Sequence, residues 1–200
     1  MNGWCRPAVF VFAVLFSQSG ALGQVSNLEY LIYSDLLQQL EFERPKLKDF
    51  VVDTFIIEGR TGVDLSHRKD DASLISEYIM GHFRELDPSV FTSFETRNQE
   101  RAPIDKDRFG DISVELISER QVDEYFQPDP GKGWSRFYED HPLAQGILLL
   151  SRVGVSADGR QALVYAGDQW DFLAGTGDFY MLERSQSGWT IKKRLNIWVS

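Results

Sequence analysis

The side chains that most often carry chemistry are scattered along this chain. Its three histidines, His67, His82 and His141, stand far apart. None belongs to an H-x-H or H-E-x-x-H pair of the kind that brings two imidazoles to one metal. His67 lies in a charged stretch, and His141 sits between Asp140 and Pro142. His82 falls near the end of a helical pattern, where a cation complements the helix dipole. They read as surface or capping residues, and neither a metal ion nor a cofactor is expected. Nucleophiles are equally sparse. The single cysteine is Cys5, no G-x-S-x-G elbow occurs, and Ser151 is followed by Arg-Val-Gly at a strand end. Gly131-Lys132-Gly133-Trp134 lacks the length and the Ser/Thr of a phosphate-binding loop and reads as a turn.

Carboxylates are plentiful, with 30 Asp and Glu against 21 Lys and Arg. Glu119 and Asp123 share a helix face at i, i+4. Asp168 and Asp171 sit close in sequence, with Asp178 shortly after. Glycoside hydrolysis asks for two carboxyls about 5 to 9.5 Å apart across a cleft, a distance that sequence does not supply. Runs of acids otherwise form solvated faces. The segment that stands out is 167–177, eleven residues between two strands where two to five would close the turn. Its Asp168, Gln169, Trp170, Asp171 and Phe172 are the candidate binding residues, aromatic groups beside hydrogen-bonding ones. The competing reading has Trp170, Phe172 and Leu173 folding back to cap the sheet.

These residues are positioned by elements whose boundaries are written in the sequence. Ser26-Asn27-Leu28-Glu29 is a capping box that starts a helix running to about Leu40, with Leu28, Leu31, Ile32, Leu36 and Leu40 near one face and Tyr30 and Tyr33 beside it. Past Pro45, residues 49–57 are rich in β-branched and aromatic types and read as a strand. A charged, glycine-containing loop over 59–71 leads to a second helix, capped by Asp70 or Asp71, with Leu74, Ile75, Tyr78, Ile79 and Phe83 as its stripe. Asp87-Pro88 ends that helix and opens a third, 88–98. After a linker over 98–110 come a strand at 112–117, a capping box at Ser118 to Gln121, and a short helix. Pro128, Pro130, Gly131 and Gly133 break that helix, and Trp134, Phe137 and Tyr138 then imply one further turn. Four strand-like runs follow at 146–153, 160–166, 177–184 and 189–199, with Asp158-Gly159 as a hairpin turn. In the last run Trp189, Ile191, Leu195, Ile197 and Val199 are expected to point one way, and Lys193 and Trp198 break the alternation. The fold class is α+β, N-terminal helices packed on one face of an antiparallel sheet that ends in a four-stranded β-meander.

Ser151-Arg152-Val153-Gly154, Gln161 to Tyr165, Gly175-x-Gly177 and the terminal Leu195-x-x-Trp198-Val199-Ser200 resemble a family of bacterial proteins of unknown function. The likeness extends weakly to residues 30–37 and 94–98. It implies a shared fold and nothing about activity. Members often carry a cysteine pair before the glycines, where this chain has Trp170 and Ala174, so a thiol role does not transfer.

The N-terminus differs from everything after it. Arg6, an apolar run over residues 8–16, and Ser17-Gln18-Ser19-Gly20 have the tripartite order of a signal peptide. Ala21-Leu22-Gly23 puts small residues where a signal peptidase needs them, so cleavage is expected before Gln24. The apolar run is too short to span a bilayer, and Cys5 precedes it, unlike a lipoprotein's cysteine. Residues 1–23 are therefore read as a signal peptide and 24–200 as a single α+β domain, exported to the periplasm or the medium, without stable membrane insertion once the signal is gone. Losing Arg6 and no acid moves the formal net charge from −9 to −10, which repels phosphate backbones and leaves nucleic acid out as a partner. Two functions remain open. One is a non-enzymatic binding or interaction module for a protein or small-molecule ligand. The other is a hydrolase of carbohydrate or peptide outside the cytoplasm, using Asp168, Asp171 or Glu139. A helix-backed sheet enclosing a small apolar ligand is an analogy from fold alone.

Overall fold

Ser26 and Glu29 make the expected reciprocal cap, with Ser26 N donating to Glu29 Oε2 at 2.8 Å and Glu29 N to Ser26 Oγ at 3.3 Å. The computed structural model describes residues 23–43, 54–63 and 72–200. Cys5, residues 49–53 of the first expected strand, His67 and the proposed caps Asp70 and Asp71 lie outside these. Helix α1 spans Asn27–Glu43. It buries Tyr30, Ile32, Tyr33, Leu36 and Leu37 and turns Leu31 to solvent, so the tyrosines, and not Leu31, belong to the stripe. Helices α2 (Ala72–His82) and α3 (Pro88–Arg97) follow strand β1 (Thr54–Glu58). Asp87 caps α3 by accepting from Ser89 N at 2.8 Å. On α2, Ile79 and the following Phe83 are buried, while Tyr78 is exposed.

Strand β2 (Val114–Ile117) leads into α4 (Glu119–Phe126), opened by the Ser118–Gln121 capping box, and α5 (Pro130–Asp140). Gly131 and Gly133 do not break the chain as expected. They lie inside the first turn of α5, which is three turns long and capped by Asp129 accepting from Lys132 N. Gly133 is there for space, since a Cβ would fall 2.5 Å from Phe126 Cδ1 and 2.6 Å from the Tyr125 carbonyl where the two helices meet. Then come β3 (Ala144–Leu150), β4 (Gly154–Val155), β5 (Gln161–Asp171), β6 (Ala174–Ser185) and β7 (Gly188–Val199).

The fold is α+β, with a seven-stranded mixed sheet in the order β2-β1-β3-β5-β6-β7 and β4 attached to β5. The expectation of an antiparallel sheet is corrected at its N-terminal end: β1 runs parallel to both β2 and β3. Parallel neighbours need long crossovers. Here α2 and α3 lie between β1 and β2 in sequence, and α4 and α5 between β2 and β3. The remaining pairs, β3 to β5 to β6 to β7, are antiparallel.

Both faces of this sheet are covered, not one. Val164 and Tyr180 pack with α1, whereas Leu163, Tyr165, Phe179 and Met181 pack with α2 and α3. Ile56, Ile117 and Ile147 form a third core with Trp134 and Phe137 of α5. Consecutive buried residues in β1, β5 and β6 are the sequence trace of strands enclosed on both sides. Strand β7 serves both layers through two irregularities. Leu182 pairs with Ile191 but Met181 with Lys193, so Lys192 is an extra residue and the side chains from Lys193 to Asn196 change face; Gly177 pairs with Trp198 but Asp178 with Asn196, so Ile197 is a second extra residue and Trp198 stays on the face of Leu195. Trp189 and Ile191 therefore join the α1 side, and Leu195, Ile197 and Trp198 the other. Even spacing in sequence had suggested a single face.

Candidate functional site

Strands β5 and β6 stay paired as far as Asp171 and Ala174, leaving only Phe172 and Leu173 as the turn. The expected eleven-residue loop is in fact the end of a long hairpin. The glycines that suggested a loop are strand residues, and Gly175 and Gly177 lie under the Trp198 ring. A Cβ on Gly175 would meet Trp198 Cζ3 at 3.1 Å, and one on Gly177 would meet Tyr165 OH at 2.6 Å and Trp198 Nε1 closer still. Trp198 Nε1 donates to Tyr165 OH at 3.0 Å, which fixes that ring.

The five candidate binding residues thus occupy one strand end and its turn. Asp168 stands opposite Leu148 and Thr176, and Gln169 opposite Ile147 and Gly175. As successive strand residues they point to opposite faces. Trp170 is the bulged residue between the Gln169–Gly175 and Asp171–Ala174 pairs, and its carbonyl accepts from Tyr138 OH at 2.8 Å. Asp171 Oδ1 accepts from Phe172 N at 2.7 Å and so shapes the turn. Trp170 is 39% exposed, Phe172 56% and Leu173 72%. Capping of the core by these three side chains is not what the structure contains.

The register gathers further apolar groups at this end. Antiparallel pairing of Ile147 with Gln169 brings the start of β3, and with it Leu143, alongside the hairpin tip. Pairing of Thr176 with Val199 does the same for the end of β7. Leu143 is 48% and Val199 70% exposed. Five of the seven large hydrophobic side chains exposed among the described residues therefore share one end of the sheet. Beneath them Tyr138 OH donates to the carbonyls of Trp170 and Gln145, tying α5 to the tip. Gln145 Oε1 is buried there with no hydrogen-bond partner among the described residues.

The polar groups nearby are engaged with each other. Tyr125 OH donates to Asp140 Oδ2 at 2.6 Å. That bond, to an anion that repels a phenolate, pushes the phenol up to about 12. His141 Nδ1 lies 3.1 Å from Glu115 Oε2, a carboxylate–imidazole pair to which no hydroxyl is hydrogen-bonded among the described residues. His82 rests edge-on against the Phe83 ring. Among the described residues no three His, Cys, Asp or Glu side chains converge as metal ligands do.

Of the acids grouped by sequence, Asp168 and Asp178 stand diagonally across the β5–β6 ladder, and two of the group are held by basic side chains. Asp178 is buried in the ladder and held by Arg194 Nε and Nη2, each at 2.8 Å, and by Asn196 Nδ2. Glu119 is paired with Arg101. A polar cleft of about 610 Å³ lies at the opposite end of the sheet from the hairpin tip, between the α2–α3 turn and the start of β5. Its carboxylates are taken up: Glu85 by Lys193, Asp87 by Ser89 N, Asp158 by Ser156 Oγ and Glu183 by Lys192.

A buried ionic centre is the arrangement that the sequence concealed. Glu29 accepts from Arg152 Nε at 2.8 Å, Arg152 Nη2 at 3.0 Å and Val153 N at 3.1 Å, and Arg97 Nη1 lies 3.1 Å away. Arg152 also donates to the Gln24 carbonyl at 2.8 Å, and its own N–H and C=O are taken by Asn98. Tyr33 OH donates to the Ser151 carbonyl at 2.6 Å, while Ser151 Oγ accepts from Tyr165 N. Burial alone would raise the Glu29 carboxyl, but the hydrogen bonds and charge of Arg152, with the backbone donors, outweigh it and hold the group below its ordinary range. Glu29 had been read only as half of a capping box. The available signal was Arg152, a lone cation inside an apolar stretch. With Glu29, Ser151 and Arg152 all buried, the centre is closed to substrate and joins α1, α3 and the β3–β4 corner.

The chain matches no protein-family model, no curated protein and no solved structure.

Proposed function

We propose that this chain is an exported, non-enzymatic binding module whose recognition surface is the hairpin tip with its flanking residues. The observation that carries the reading is the concentration of exposed Leu143, Trp170, Phe172, Leu173 and Val199 at one end of the sheet. Exposed apolar groups gathered at one end of a domain mark interaction sites more often than scattered ones do. Asp168, Gln169 and Asp171 supply hydrogen-bonding groups around them, so the ligand is a protein segment or small molecule with an apolar face. The tip is the end of a long ladder, bulged once at Trp170, and Tyr138 braces it at that bulge, which suits a surface that recognises without rearranging. The leader-like residues 1–23 support export to the periplasm or the medium. Asp178, diagonal to Asp168, is taken up by Arg194 and Asn196, Asp171 accepts from Phe172 N, and the carboxylates of the polar cleft are engaged as well, which favours binding over a carboxylate hydrolase.

The test is a selection of displayed random peptides on residues 24–200, counter-selected on the same protein carrying Trp170→Ala and Phe172→Ser. Peptides that bind the first and lose at least about tenfold in affinity on the second are expected, a difference of about 1.4 kcal/mol. If every enriched peptide binds both proteins equally, the tip is not the site.

A further inference from the structure

Resting on the reading that the hairpin tip is the recognition surface, we infer that the apolar ligand it meets is phospholipid, at the surface of a bilayer with zwitterionic headgroups. The tip is a projection and not a hollow. Phe172 and Leu173 form a two-residue turn at the end of the β5–β6 ladder, and exposure rises outward along it from Trp170 to Phe172 to Leu173. Small-molecule pockets are concave and close around their ligand. A projecting apolar turn has the opposite shape and suits a surface soft enough to admit it.

The order of the side chains follows the layers of a bilayer interface. Leu173 and Phe172, wholly apolar, are the most exposed of the group at the hairpin. Trp170 is set back by two residues, and its indole, an apolar body with one N–H, is the kind of ring that gathers at headgroup level. Two residues of extended chain reach roughly 7 Å, within the roughly 5 to 10 Å to which interfacial segments sink. The backbone is prepared for that depth. A peptide group among acyl chains cannot turn to water and needs an internal partner. Phe172 N donates to Asp171 Oδ1 at 2.7 Å, and the carbonyl of the bulged Trp170 accepts from Tyr138 OH at 2.8 Å. Charge selects the headgroup. The chain has a formal net charge of −9, and Asp168 and Asp171 stand beside the apolar groups, so an anionic surface repels the tip. The ammonium groups of choline or ethanolamine lipids meet those carboxylates without that repulsion. Five side chains at one end of the sheet make a shallow, reversible contact.

The test uses residues 24–200, which hold every core residue described, with near-UV circular dichroism to establish that each variant is folded. Flotation with vesicles of phosphatidylcholine, alone or with a third of phosphatidylglycerol, gives the bound fraction. Phosphatidylcholine brominated on its acyl chains reports depth, because Trp134, Trp189 and Trp198 are buried and Trp170 is the exposed indole. Brominated vesicles are expected to quench Trp170, and a Trp170→Phe protein to float with them unquenched. Phe172→Ser combined with Leu173→Ser is expected to weaken binding to phosphatidylcholine at least about tenfold, and phosphatidylglycerol to lower the bound fraction. No flotation on phosphatidylcholine, an unquenched Trp170, flotation unchanged by the two serines, or stronger flotation on the anionic vesicles would overturn the inference. In that event, peptides that bind the protein and lose affinity for its Trp170→Ala, Phe172→Ser counterpart would keep the tip as a recognition surface with lipid removed as its ligand. Loss of both would remove the surface itself.

Discussion

Arg152→Met should be among the most damaging single changes in the domain that remove no core hydrocarbon. The guanidinium gives two buried hydrogen bonds to Glu29 and a partly buried one to the Gln24 carbonyl, all between 2.8 and 3.0 Å. Removing one member of a buried pair strands the other charge, at a cost of about 3 to 5 kcal/mol. Arg97, 3.1 Å from Glu29 and partly exposed, retains some compensation and places the expected value near the lower end. For a domain of this size the loss lowers the melting temperature by roughly 6 to 20 °C. Thermal and urea melts of residues 24–200 measure it. The sign with pH is fixed too. Because the Glu29 carboxyl is held below its ordinary value of 4.5, its contribution is complete above that pH and is lost as pH falls through the depressed value. Arg152→Met should therefore flatten the acid limb of the stability profile. Replacing both partners, Glu29→Leu with Arg152→Met, should be less destabilising than the two single changes added together by about 1 to 3 kcal/mol. A single-variant cost under about 1 kcal/mol, or strict additivity, would show that the ionic centre does not hold α1 to the β3–β4 corner.

Three further outcomes are expected. Gly133→Ala should cost about 1 to 3 kcal/mol, because the new methyl meets Phe126 and the Tyr125 carbonyl; a neutral result in urea denaturation would mean the two helices separate freely. Phe172→Ser and Leu173→Ser should each change stability by no more than about 0.5 kcal/mol, and a loss above about 2 kcal/mol in either would show that the tip packs against the body. In a phenolate absorbance titration Tyr125 should ionise near 12 and Asp140→Asn should bring it back toward 10, while the phenols of Tyr30 and Tyr33, raised by burial, stay late in both proteins; an unchanged curve would remove the Tyr125–Asp140 bond as the cause.

The elements were largely legible, and for local reasons. Capping boxes at Ser26 and Ser118 and the Asp87-Pro88 pair are chemistry between residues two to four apart, so the sequence displays both partners. What was misread depends on neighbours distant in sequence. Parallel pairing of β1 with β2 and β3 cannot be seen from strand composition, and the face change of β7 depends on an extra residue opposite β6. The long-loop reading of 167–177 failed because its glycines serve Trp198, more than twenty positions away, and not a bend. Trp170 and Phe172 were found as candidates, but Leu143 and Val199 enter the patch only through strand register. The Glu29–Arg152 centre was hidden because its partners lie 123 positions apart and Glu29 already had a local explanation as half of a capping box.

That centre also sets when the domain can form. Arg152 lies 123 positions after Glu29, and Trp189, whose N–H donates to Asp35 Oδ2 at 2.7 Å, lies 154 positions after that residue. The first helix made is thus held by residues from the last third of the chain, and closing such long loops must precede the contacts that reward it. A topology weighted toward distant partners places this domain among the slower folders. Until the β3–β4 corner and β7 have been synthesised, α1 has only β1 and the 102–109 segment to pack against, and helices of its length are marginal alone in water. The chain's own contact order keeps it loose until its C-terminal strands are available.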